Sequence, residues 1–297
     1  MKPSADAAAL PLEHSRAADY LALAKPRLNV LVVASAMAGY AMAGGEAGRA
    51  RLLLSTMLGT ALVAGGASAL NQILERRRDG LMRRTRSRPL PDGRLQPAEA
   101  LVFAVAMSLA GGAVLWAGAN LLSAIIALVT LLIYAAVYTP SKPLTSFSTV
   151  IGASPGALPP LIGWAAVRGS LSQGAWVLFG IVFLWQLPHF LAIAWMYRED
   201  YGRAGYPMLP VIEPDGRSTA RQAVVYAAAL LPLSLAPTLI GMTGAVYFAG
   251  ALVLTVLFLA LAVRFALTRD TAAARRLFAG SIAYLPLLWI LMIVDRL

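Results

Sequence analysis

Cysteine is absent from the 297-residue chain. Its absence excludes disulfides, thiolate metal ligands, cysteine-held iron–sulfur clusters, a cysteine nucleophile and covalent c-type haem attachment. Charge is scarce as well: 13% of positions carry it, against about 25% in a soluble domain. So little polar surface cannot coat a water-soluble globule. With 59% apolar residues, the outer face must meet lipid, so the bilayer is the first expected partner. The scarcer sign is negative, 14 acidic residues against 25 Lys and Arg, for a formal charge of +11. A nucleic-acid binder would carry such an excess on a soluble basic face. Here the basic residues border apolar runs and read as topology signals, so no nucleic-acid partner is expected. Residues 1–19 lack an apolar core and are read as a mobile polar tail, not a signal peptide. One transmembrane domain is expected over residues 20–297.

Apolar runs of membrane-spanning length fall near Leu28–Gly45, Leu52–Leu74, Ala98–Ala117, Leu121–Tyr138, Val150–Val167, Ala175–Tyr197, Ala223–Gly241, Val246–Phe265 and Leu277–Val294. The expected fold is all-α, a polytopic membrane protein of about nine transmembrane helices. The very short breaks at Gly118–Asn120 and Gly241–Gly244 predict tight antiparallel hairpins. With the N-terminus in the cytoplasm, only Arg49, Arg51, Arg168 and Arg296 of the basic residues fall on the far side. The positive-inside rule therefore predicts a cytoplasmic N-terminus. Ionisable residues are nearly missing from the spans, His189 excepted. A proton- or ion-coupled carrier usually buries such groups near the midplane, which counts against a transporter.

The acidic residues collect at span ends on the predicted cytoplasmic side. Asn71, Glu75 and Asp79 close the second span at steps of four, which on a helix drift about 40° each and stay near one face. Oxygen ligands of this kind suit Mg²⁺, which keeps waters and takes substrate phosphates. A basic run follows, Arg76–Arg78 and then Arg83, Arg84, Arg86 and Arg88. Arginine grips phosphate oxygens in pairs. A topological anchor would also explain the basic run, but it needs neither the spacing of four nor an Asn at the apolar end. Arg198, Glu199, Asp200 and Tyr201 form a second cluster at the end of the sixth span, on the same side. Two such clusters fit a metal-bridged diphosphate lying between them, one metal at each; a charged helix end is the plainer alternative. Lys142, alone in its loop, would reach the same phosphates or simply snorkel. His189 precedes Asp200 by three helical turns and lies about 16 Å deeper. It either satisfies the backbone freed by Pro188 or touches a polar or metal-bearing substrate. Ser154–Pro160 interrupts the fifth span, as a plain kink or as irregular backbone lining a cavity.

At this point the motifs resemble a family. Asn71-Gln72-x2-Glu75-x3-Asp79-x2-Met82-x-Arg84-Thr85-x2-Arg88-Pro89-Leu90 is similar to the first motif of the protohaem IX farnesyltransferase (haem O synthase) family, within the intramembrane aromatic prenyltransferases. The resemblance continues in order through Tyr138-Thr139-Pro140, Pro155–Pro160 with Gly163-Trp164, Trp185-Gln186-x-Pro188-His189-Phe190, and Asp200–Pro210. Ala24-Lys25-Pro26-Arg27 fits as well, and the likeness covers about residues 20–290. The chain departs from the pattern in three respects. Glu75 stands where the wider superfamily favours Asp. Met196 and Ala204 stand where a partner for Asp200 would be. Ser148 replaces an expected Asn, and no role is assigned to it.

The resemblance implies farnesyl transfer from farnesyl diphosphate to a vinyl group of haem B, with water added, to give haem O. It implies Mg²⁺ as cofactor, held by Asn71, Glu75, Asp79, Glu199 and Asp200. Arg83, Arg84, Arg88 and Lys142 would bind the diphosphate. His189, Trp185 and Tyr201 become haem-pocket candidates. The site is expected to face the cytoplasm from a bacterial inner membrane, with contact to haem-handling or terminal oxidase assembly proteins. A prenyltransferase with another acceptor, such as a quinone precursor, and a non-catalytic haem-handling factor are the remaining rivals.

Overall fold

A computed structural model describes residues 15–46 and 48–297. Most of the expected N-terminal tail lies outside that range. Its last residues, however, are ordered: Ser15 caps a helix, α1 (Arg16–Ala24), by accepting from the Ala18 amide. The chain then bends by 40° into α2 (Pro26–Met42). Lys25 makes the bend in the left-handed region, φ 47°, and Pro26 starts α2 where no amide partner is needed. Leu23, buried to 0% exposure, packs α1 against Ala69, Leu90, Leu95, Ala100 and Ala104.

The remaining spans follow the apolar runs closely. They are α3 (Ala50–Asp79), α4 (Pro97–Gly118), α5 (Leu121–Leu132), α9 (Gln173–Met196), α12 (Arg217–Leu239), α13 (Ala245–Thr268) and α14 (Thr271–Val294). The fourth span continues from α5 through a π-helical turn (Ile133–Tyr138) into a last turn, α6 (Thr139–Ser141). The fifth is broken, as its prolines require, into α7 (Ser148–Ala157) and α8 (Pro159–Arg168). Among the described residues, eight helices or helix runs are long and apolar enough to cross a membrane, and nine if α1 and α2 count as one bent span. Two short helices, α10 (Arg198–Arg203) and α11 (Leu209–Ile212), lie between α9 and α12. Among the described residues there is no strand, only a single bridge between Thr243 and Arg296.

The short breaks do make tight hairpins. Asn120 turns α4 into α5: its side chain accepts from the Ser123 amide at 2.9 Å and donates to the Ala165 carbonyl at 2.7 Å. Burial is strongest in α3, α8 and α9, the central helices of the bundle, while α4, α5, α12 and α13 keep lipid-facing sides. The spans pack as one bundle, with α3 against α4, α2 against α8, and α9 against α12 and α14.

Candidate functional site

Two chambers share a wall inside the bundle. The upper one, about 240 Å³, is lined by Asn71, Glu75, Asp79, Arg84, Arg88, Lys142 and Tyr201, among others. The spacing of four thus puts the whole oxygen ladder of α3 on a single cavity. All three side chains are buried. The lower chamber, about 310 Å³ and largely apolar, is lined by Trp185, His189, Phe190, Tyr134 and Tyr138. Lys25, Leu28, Tyr134, Tyr138 and Phe190 line both. The site is therefore a polar chamber opening directly onto an apolar one.

Each acidic group of the ladder faces a basic one. Arg88 donates to Asp79 Oδ2 at 2.8 Å, and Lys142 Nζ lies 2.7 Å from Glu75 Oε1. The second pair is a charge contact without hydrogen-bond alignment, so Glu75 Oε1 keeps its acceptor capacity although buried. Burial alone would lower the pKa of Lys142, but the adjacent Tyr138 and Glu75 oxygens hold it well above the usual lysine range. Lys142 also sits 4.5 Å over the Tyr138 ring. Asn71 donates to Thr139 Oγ1 at 3.2 Å and accepts from Lys25 at 3.4 Å. Arg84 donates to Tyr201 OH at 2.8 Å and stacks 4.8 Å over the Tyr197 and Tyr201 rings. A fixed arginine plane at the rim is well placed for an anion.

The structure leaves two of the expected metal ligands, Glu199 and Asp200, off the wall of the upper chamber. Glu199 is exposed, and Asp200, though buried, is absent from the chamber wall. Asp200 Oδ1 instead accepts from the Arg83 amide at 3.3 Å and pairs with Arg203. Among the described residues no three His, Asp or Glu side chains converge on one point. The reason lies in the break at Tyr197, which turns α10 so that Asp200 faces the arginine loop. The second cluster is thus a clamp holding that loop across the chamber. Arg83 serves the clamp through its backbone, and its exposed side chain does not line the chamber. Tyr201 lines the upper chamber, not the lower one with His189 and Trp185. If this reading holds, Asp200→Asn lowers turnover about tenfold by loosening the loop, with no change in the Mg²⁺ concentration giving half-maximal rate. A raised Mg²⁺ requirement would reinstate Asp200 as a ligand.

The residues that remain still fit a hard divalent cation. Asn71, Glu75 and Asp79 supply hard oxygens from one helix face, few enough to leave positions for phosphate and water. The structure adds side chains to which the motifs assigned no role. Lys25 enters both chambers from its left-handed bend, and Tyr134 follows Tyr138 one turn back on the π-helical segment. The Ser148 hydroxyl and Tyr206 OH are buried beside the upper chamber without partners. Ser148 was passed over because an Asn was expected there. The Tyr134–Tyr138 spacing was legible; the π turn that aims both inward was not. The broken span also finds its use, since Gly152, Pro155, Gly156 and Pro159 line the lower chamber. Gln186 braces this break by donating to the Ala153 carbonyl at 2.6 Å.

Residues 32–290 match the UbiA prenyltransferase family. The chain is 51% identical over 287 residues to the protoheme IX farnesyltransferase of Solibacter usitatus (strain Ellin6076), covering 94% of this chain and 98% of that protein. It is 43% identical over 289 residues to that of Koribacter versatilis (strain Ellin345), covering 94% and 93%. Among solved structures it resembles digeranylgeranylglyceryl phosphate synthase, with TM-score 0.76, 18% identity and coverage of 93% and 97%. It also resembles a UbiA homolog from Archaeoglobus fulgidus bound to GPP and Mg²⁺, with TM-score 0.61, 16% identity and coverage of 92% and 99%. These two likenesses concern the fold.

Proposed function

The chain belongs to the UbiA prenyltransferase family, and we propose that it transfers farnesyl from farnesyl diphosphate to a vinyl group of haem B, water adding, to give haem O and diphosphate. The observation that carries this reading is the junction of the chambers. A charged pocket with carboxylates and cations opens directly onto an apolar one. That is the shape of a molecule with a diphosphate at one end and a hydrocarbon at the other.

In this reading Arg84, Arg88 and Lys142 hold the diphosphate. Mg²⁺, held by Asn71, Glu75 and Asp79, would neutralise charge on the leaving group. Arg88 and Lys142 now face Asp79 and Glu75; with a diphosphate present they turn part of their charge to it. The cations so placed stabilise the charge that grows as the allylic C–O bond breaks. The reacting carbon then lies at the shared wall, beside the rings of Tyr134, Tyr138 and Phe190. Aromatic faces stabilise a nearby carbocation without quenching it. The vinyl carbon of the acceptor bonds to the allylic carbon there. The cation left beside the porphyrin takes a water, which loses a proton. Apolar walls limit earlier capture by bulk water.

Haem propionates would sit at the basic rim. The same rim carries the positive-inside signal, so the reading includes a bacterial inner membrane with the site facing the cytoplasm. An apolar product leaving into lipid is consistent with hand-over to haem-handling or oxidase assembly proteins.

The test is direct. The purified, lipid-reconstituted chain is incubated with haem B, farnesyl diphosphate and Mg²⁺, and hydroxyethylfarnesyl haem is sought by mass spectrometry. Product is expected, and omission of Mg²⁺ should abolish it. No product, with both substrates shown to bind, would mean another acceptor.

A further inference from the structure

His189 does not serve the Pro188 kink. Helix α9 runs through Pro188 unbroken, and the His189 ring bonds to another helix instead. Its Nδ1 lies 2.7 Å from Ser281 Oγ on α14. Ser281 Oγ in turn lies 2.5 Å from the Phe278 carbonyl. A carbonyl only accepts, and a serine hydroxyl has one proton. That proton must point at Phe278, so Ser281 Oγ can only accept from His189. Nδ1 therefore carries a proton, and in the neutral ring that apolar surroundings favour, Nε2 carries the lone pair.

The ring is also held in place. It packs against Trp185 and Phe278, with centroids 5.5 and 4.9 Å away. Trp185 Nε1 donates to the Ser281 carbonyl at 2.9 Å, tying the same three residues together. His189 and Trp185 both line the lower chamber. A neutral imidazole with one nitrogen donating to a protein oxygen and the other offering a lone pair to a cavity is the usual arrangement of a metal-binding histidine. The other residues near it suit iron less well. The chain has no Cys, and of its two histidines only His189 is in a span. Tyr134 and Tyr138 would have to give up a proton in apolar surroundings, which is costly.

We propose that His189 Nε2 is an axial ligand of the haem iron of the acceptor, with Ser281 setting the tautomer. This rests on haem B being the acceptor. A single axial bond fixes the height of the porphyrin in the lower chamber but leaves it free to turn about that bond. Propionates at the basic rim remove this freedom. Together the two anchors choose which edge of the porphyrin, and so which vinyl group, faces the shared wall.

Ferric haem B is titrated into the full chain in lipid discs and followed by absorption, then by resonance Raman after reduction. Wild type is expected to show an imidazole-ligated spectrum and a ferrous iron–histidine stretch. His189→Ala should shift the Soret band, lose that stretch and weaken haem binding at least tenfold, with free imidazole restoring the spectrum. Ser281→Ala should keep histidine ligation but weaken it by about tenfold, as loss of an outer partner does. A far-UV circular dichroism spectrum and a size-exclusion profile like those of wild type show that each variant is folded. If His189→Ala fails that control, Ser281→Ala decides: haem binding as tight as wild type would overturn the proposal. Identical spectra for wild type and His189→Ala would overturn it too, even with turnover lost, and would leave the transferase reading standing if wild type makes haem O. Wild type that neither binds haem nor makes haem O would overturn both.

Discussion

Replacing Asp79 with Ala is expected to lower haem O formation by about 10²–10³-fold, a loss of roughly 3–4 kcal/mol of transition-state stabilisation. Two effects add at this position. The side chain, 1% exposed, is the last oxygen of the ladder, at the loop end of α3. It also holds Arg88, whose guanidinium lies 2.8 Å from Oδ2. Removing it takes away an oxygen for Mg²⁺ and leaves Arg88 without the partner that positions it. Asp79→Asn separates these effects, because the amide keeps the shape and one acceptor oxygen. If metal binding dominates, Asn is nearly as damaging as Ala and raises the Mg²⁺ requirement. If the hold on Arg88 dominates, Asn recovers much of the activity. A variant of either kind with wild-type turnover would remove α3 from the chemistry. Single-turnover rates with both substrates bound are the measurement to make, since they exclude weaker binding as the cause.

The second large effect is on assembly. Helices α2 and α8 cross so closely that two glycines face the opposite backbone. A Cβ on Gly163 would lie 1.8 Å from the Ala36 carbonyl oxygen, and one on Gly39 would lie 1.9 Å from that of Pro160. No side chain can swing away to relieve either clash, because both neighbours are main chain. The helices must separate, and the packing lost with them cannot be recovered from lipid, which offers no hydrophobic drive for reassociation. Gly163→Ala is expected to cost about 1–3 kcal/mol, as overpacking does, and to lower the Tm in a thermal-shift assay. Gly163→Leu should prevent accumulation of folded protein. Gly112→Ala is the control: nothing lies within 4 Å of its Cβ. There the substitution is neutral or stabilising by up to about 1 kcal/mol, because alanine is the better helix former. A Gly163→Ala protein as stable as Gly112→Ala would show that the crossing yields more easily than its geometry implies.

Both effects bear on the active site. The α2–α8 crossing fixes the helix at whose start Lys25 and Leu28 line both chambers. A looser crossing should therefore also reduce turnover in the protein that does fold.

Much of this protein is determined locally and can be read along the chain. The spans follow from apolar runs of fixed length, because a bilayer allows few other backbone arrangements. The ladder of Asn71, Glu75 and Asp79 follows from helical periodicity, so its lying along one helix face needed no tertiary information. The prolines of Ser154–Pro160 announce the broken span for the same reason, since a missing amide acts within one turn.

What the tertiary structure alone decided concerns groups far apart in sequence. Glu199 and Asp200 look like a second metal site by composition. The break at Tyr197 turns Asp200 onto the arginine loop, more than 100 residues away, and leaves Glu199 in the open. Along the chain His189 could equally serve its own helix or face a pocket, and its partner proves to be Ser281 on α14. Ser148 seemed a lost site residue and proves to be a buried hydroxyl beside the upper chamber. In each case the direction of a side chain depends on how one helix is rotated against another. Inside a membrane that rotation is set by close packing between distant segments, such as the glycine crossing of α2 and α8, and not by any periodicity within one of them.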